Sequence, residues 1–198
     1  MTSRSSEKIA SILERNSSYS KTMHVQPPLL NAVIEKNRSL GRRGLYHAPT
    51  LASALNSFSV SNLPVLFSLS HISLNPVHAR TLISVPEAAI VRNAGGRARP
   101  ALPSLLALDS LGNTGTILVI HHTDCGMSHY SESEFRNISK AKHPEIDLPA
   151  GETFGAIVDP ETTVKDDVKY LNSYESWRNV EIAGLVLDTF SGVVKRVI

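Results

Sequence analysis

The run Ile117-Leu118-Val119-Ile120 constrains this chain more than any other stretch. Four consecutive β-branched or aliphatic residues read as an interior strand covered on both faces, as strands of a parallel sheet are. The next residues, His121-His122-Thr123-Asp124-Cys125-Gly126-Met127, are mostly polar and include the one cysteine of the sequence. His122 and Cys125 stand three apart, so one tight turn brings an imidazole nitrogen and a thiolate toward a single ion. Zn²⁺, a borderline-soft cation, takes both donors. The position suits a ligand, because open α/β sheets bind beyond the carboxyl ends of their strands.

Around that strand the pattern alternates. Ser5 or Ser6 caps a short amphipathic helix carrying Ile9, Ile12 and Leu13, and residues 17–28 form an extended arm. Helices are expected over 29–37 and 51–58, with a loop break at 41–44, and a first sheet strand over 64–70. Asn75-Pro76 turns into a short helix ending near Leu82, and 88–91 is a second strand. Residues 103–111 follow as a helix with proline in its first turn and Gly112 as cap. A strand over 116–120, a helix over 134–142 and a loop over 143–159 come next. A helix over 161–172 places Val164, Val168 and Leu171 on one face. Strands over 180–188 and 193–198 close the chain around Ser191-Gly192. Strand and helix in alternation predict an α/β fold with a mainly parallel central sheet flanked by helices and an N-terminal helical arm. Residues 1–60 are expected to be an arm used in oligomerisation, and 61–198 the α/β domain.

The 198 residues suffice for one core. A net charge of +2 with interspersed signs, and no basic stripe among aromatics, argues against nucleic acid. A lone cysteine fits a reducing compartment. No apolar run is long enough to span a bilayer, and the polar N-terminus resembles neither a secretory signal nor a transit peptide. A cytoplasmic protein is the expectation.

The string HHTDCGM, with RNAGGR at 92–97 and the tail GLVLD at 184–188 followed by Thr189-Phe190-Ser191-Gly192, resembles the β-class carbonic anhydrase family. Leu13-Glu14-Arg15-Asn16 and Tyr19 are similar to its N-terminal helix. The resemblance implies that fold, zinc held by His122 and Cys125, hydration of CO₂ to bicarbonate, and a homodimer or higher homo-oligomer with its site at the subunit interface. One departure stands out. The family's first zinc motif, Cys-x-Asp-x-Arg, has no counterpart in residues 64–73. Matching Asn75-Pro76 to the family's Asn-Pro puts Leu69, His71 and Ser73 in its place; an ungapped spacing to RNAGG puts Ser70, Ile72 and Leu74 there.

His71 is the candidate third ligand, making a His71, His122, Cys125 set with one open position; it is also readable as a strand-end histidine bonded to a neighbour. Asp124 either orients an imidazole or loop or caps the turn. His121, preceding the ligand on the strand, faces the other way and reads as a packed histidine. His129 and Tyr130 line a pocket mouth or a polar loop exit. Gly95 and Gly96 give a tight strand exit that turns backbone donors toward the cleft, and Arg92 with Arg97 either attracts an anionic substrate or serves the surface or a dimer contact. Cys125 is a ligand, an inert buried thiol, or a nucleophile activated by His71 or His122. Three functions follow: a carbonic-anhydrase-like zinc lyase, the same fold turned to another small carbonyl or carboxylate compound as lyase or hydrolase, or a site-dead homologue acting as a binding or hetero-oligomer subunit.

Overall fold

The structure, a computed structural model, describes residues 2–26, 29, 32, 35, 66–70, 89–111 and 114–198. Helix α1 (Thr2–Thr22) opens the chain, followed by strands β1 (Leu66–Ser70) and β2 (Ala89–Asn93) and helix α2 (Ala98–Leu111). Strand β3 (Thr116–His122), helices α3 (Glu132–Lys142) and α4 (Pro160–Asn172), and strands β4 (Glu181–Leu187) and β5 (Val194–Arg196) complete it. The sheet order is β2-β1-β3-β4-β5. Among the described residues the first three pairings are parallel and that of β4 with β5 is antiparallel, a mixed α/β sheet that matches the mainly parallel expectation in those three pairings.

Every residue of β3 is buried, as its unbroken apolar run requires. Alternation divides it between two cores. Leu118 and Ile120 join Ala183, Leu185, Leu187 and Val194 beneath Ile9 and Ile12 of α1. Ile117 and Val119 face the other way, into Ala98, Ala101 and Leu105 of α2 and Val164, Val168 and Leu171 of α4. Gly184 of β4 lets α4 come close: a Cβ there would lie 3.2 Å from the Val164 and Val168 methyls and 2.8 Å from Ile198.

Strand ends shift by up to two residues, and three helices differ more instructively from the sequence expectation. Helix α1 runs on to Thr22 in place of an extended arm from Ser17, because its buried stripe of Ile9, Ile12, Asn16 and Tyr19 continues past that point. Asn16 fixes it, donating to Gly192 O at 2.8 Å and accepting from Val194 N at 2.7 Å. Helix α2 begins at Ala98, leaving Pro103 inside the helix, where burial of Ala98 and Ala101 outweighs the lost hydrogen bond. Helix α3 begins at Glu132 because Ser131 and Glu134 form a reciprocal capping box. The expected helices over 29–37, 51–58 and 76–82 and the Gly112 cap fall mainly or wholly outside the described residues. Among the described residues no helix is long and apolar enough to cross a membrane.

Candidate active site

The carboxyl end of β3 carries the site. His122 is the last strand residue, paired with Leu187 of β4 and 1% exposed. Its Nδ1–H donates to the Thr123 carbonyl at 2.7 Å. A proton held on Nδ1 leaves the Nε2 lone pair as the ligating position. Thr123 ties the exit to the neighbouring strand: its N–H donates to Leu187 O at 2.9 Å, and its Oγ1 accepts from Thr189 N at 2.9 Å. Asp124 then turns the chain in a left-handed conformation (φ 52°), among the described residues the one non-glycine with positive φ. Cys125 follows, fully buried beside Met127, Ile157, Phe135 and Phe154. Its carbonyl accepts Ser128 N and Oγ at 3.0 and 2.7 Å, which closes the short 3₁₀ turn over Gly126–Ser128.

The turn thus brings imidazole and sulfur together, as their spacing predicts. Burial works against a charged imidazole. The hydrogen bond and negative charge of the Cys125 sulfur, the Thr123 carbonyl and the Asp124 carboxylate outweigh it, so His122 titrates above the ordinary histidine range. Asp124 Oδ1 also lies 3.8 Å from His129 Nε2 at the half-exposed rim, and Tyr130 turns its ring edge to Phe135. One nitrogen with the ligating tautomer beside one sulfur fits zinc chemically. Among the described residues no group of three His, Cys, Asp or Glu could hold a metal. His71 lies outside the described residues, one position past the end of β1.

The second loop, 92–97, leaves β2 beside this turn. Arg92 pairs in register with Leu69; its Nη2 is buried with no hydrogen-bond partner among the described residues, and burial lowers its pKa. Asn93 clasps the loop, accepting Arg97 N at 2.8 Å and donating to Arg97 O at 2.9 Å. Gly95 and Gly96 are buried with φ of 73° and 66°, the strand exit that glycines permit. A Cβ on Gly95 would lie 3.3 Å from Met127 Cγ, so this loop packs directly on the turn over Gly126–Ser128. Arg97 does not act as a free anion-attracting arginine. Its Nε and Nη2 donate to Asp167 Oδ2 and Oδ1 at 2.9 and 3.2 Å, and Nη1 donates to Ala156 O at 3.3 Å.

Asp167, on α4, also lies with Oδ2 3.2 Å from His121 Nε2, an ion-pair distance without the alignment of a good hydrogen bond. Burial raises its pKa, but His121 and Arg97 more than offset this, so the carboxyl stays below the usual range. His121 therefore faces α4 and away from Cys125, as strand alternation predicts. Asp167, Asn93 and Glu132 escaped the sequence reading. Glu132 accepts the backbone N–H groups of Phe154, Gly155 and Ala156 at 2.7, 3.2 and 3.4 Å and pins the 153–157 loop over Cys125. The signal for Asp167 was present: it shares the apolar face of Val164, Val168 and Leu171, where a carboxylate demands a buried cation.

No family model matches the chain, and no curated protein matches it. Solved structures do. A carbonic anhydrase from Streptococcus mutans superposes with a TM-score of 0.61 at 24% identity, covering 88% of this chain and 100% of that one. A carbon disulfide hydrolase in its apo form gives 0.57 at 17% identity over 83% and 89% of the two chains. A beta-carbonic anhydrase from Trichomonas vaginalis gives 0.56 at 16% identity over 87% and 98%.

Proposed function

On the fold of the β-carbonic anhydrases, which this chain shares, we propose a divergent zinc lyase of that family that interconverts CO₂ and bicarbonate. The observation that carries it is the pairing of an Nδ1-protonated His122 with the buried Cys125 sulfur at the carboxyl end of the central strand. His71 is the third ligand of this proposal. Its support is the register: Leu69 of β1 pairs with Ile120, so β1 leaves the sheet at the edge where His122 stands. Bound zinc would supply a water acidified to near neutrality. The chain's own part is to hold its ligands: Thr123 fixes the imidazole, and Asp124 adds negative charge beside it. Arg92, with its buried guanidinium nitrogen, is the group for the bicarbonate charge, beside the backbone of Gly95 and Gly96. No Asp–Arg pair stands in residues 64–73 to orient the water, so low hydration activity is expected. A homodimer or larger homo-oligomer belongs to the same reading.

A second reading rests on the carbon disulfide hydrolase with this fold: the same site acting as a hydrolase on another small unsaturated carbon compound. One experiment separates these readings. Zinc per chain is measured by plasma mass spectrometry in protein purified without chelator, beside Cys125→Ser and His71→Ala. About one zinc per chain, lost in both variants, supports the three-ligand site. CO₂ hydration and CS₂ hydrolysis assays on that protein then decide the substrate. Zinc retained by Cys125→Ser would overturn the ligand assignment.

A further inference from the structure

The stem of Arg97 runs through a channel that the backbone has been shaped to leave open. A Cβ on Gly155 would lie 2.8 Å from Arg97 Cγ, and one on Gly95 would lie 3.4 Å from it; both glycines have positive φ, 80° and 73°. Asn93 holds the Arg97 backbone, Asp167 holds two of its guanidinium nitrogens, and Ala156 O takes the third. Asp167 is almost fully buried, and its Oδ2 also meets His121, the residue before His122 on β3. The turn after β3 is joined to the same frame: Ile157 N donates to Met127 O at 2.9 Å, and Met127 packs against Gly95. Arg97 and Asp167 therefore link four separate segments: the 93–97 loop, the end of β3, the 153–157 loop and α4.

We propose that Arg97, Asp167 and His121 form a positioning unit that holds the His122–Cys125 turn shut and in ligating geometry. The metal half of this statement rests on the zinc reading above; the loop half does not. A charge-paired network of this kind fixes one arrangement because each partner left alone would be a buried unpaired group. None of the three side chains is itself a ligand in this reading. They act through the backbone they clamp.

The single cysteine makes the test direct, since any thiol label reports Cys125 alone. Labelling by an aromatic disulfide reagent is followed on metal-free protein for the native chain, Asp167→Asn, Arg97→Lys and Ile182→Val. The last deletes a methyl from the same core at the opposite end of the sheet, where Ile182 pairs with Ile117. Urea is added to bring all four to equal global stability. Asp167→Asn and Arg97→Lys are expected to label about tenfold faster or more, and Ile182→Val at the native rate. Zinc affinity, read by chelator competition, should fall roughly 10- to 100-fold in the two network variants only. Equal labelling in all four proteins overturns the proposal, whatever zinc does. Faster labelling in a protein that binds no zinc keeps the clamp and removes the zinc reading. Should Asp167→Asn fail to fold, Arg97→Lys makes the same comparison.

Discussion

Asp124 sits where an L-residue pays for its side chain, and its φ of 52° makes a test of backbone against carboxylate. Asp124→Ala is expected to lower stability by about 1 kcal/mol, since alanine lacks the local bonding that eases the left-handed region. Asp124→Gly should lose none of it, and urea unfolding of the two variants checks the difference. Asp167 gives a pH test. Its carboxyl titrates below the usual range in the fold, so its contribution is complete above the unfolded carboxylate range near pH ~4 and fades as pH falls through the lower folded value. Asp167→Asn should therefore flatten the decline of stability below about pH 4, measured by urea midpoints at a series of pH values. At this scale the sequence showed the chemistry but not the partners. His122 and Cys125 are near neighbours, and a short turn has few ways to join them. Arg97 and Asp167 are seventy residues apart and meet only because α4 lies against the 93–97 loop, a packing that no local spacing encodes.

Helix α3 buries no residue, so its capping box carries an unusual share of its order. Ser131→Ala is expected to weaken it by about 1 kcal/mol. The effect should appear as faster amide exchange across 132–142, with little change in the global unfolding midpoint. The box is legible as Ser131-x-x-Glu134, and it starts the helix two residues before the expected Glu134; the cap marks the start. In α1 the serines of 17–20 suggested an arm, but Asn16 and Tyr19 continue the buried stripe of Ile9 and Ile12. Polar composition was a weaker guide than periodicity. The described β-strands are legible to within a few residues because apolar runs bounded by turns leave little choice. Gly184, inside β4, gave no such warning of its role. Gly184→Ala should cost about 1–3 kcal/mol by overpacking against Ile198, Val164 and Val168, a loss that thermal unfolding would register.

At the scale of the fold, β3 is the middle of the five strands among the described residues, paired on both edges and roofed on both faces. Its backbone amides cannot open without parting β3 from β1 or from β4. Native-state hydrogen exchange is therefore expected to show Leu118–Ile120 among the slowest amides, exchanging only on global unfolding, and residues 143–153 among the fastest. Exchange of the β3 amides at the rate of those loop amides would contradict this sheet order. The two halves of the candidate grip consequently live on different clocks. His122 belongs to the slowest-opening strand, whereas Cys125 belongs to a short turn held by side chains from other segments. Anything bound between them would be held at one end by the central strand and at the other by a turn whose closure depends on contacts from distant segments.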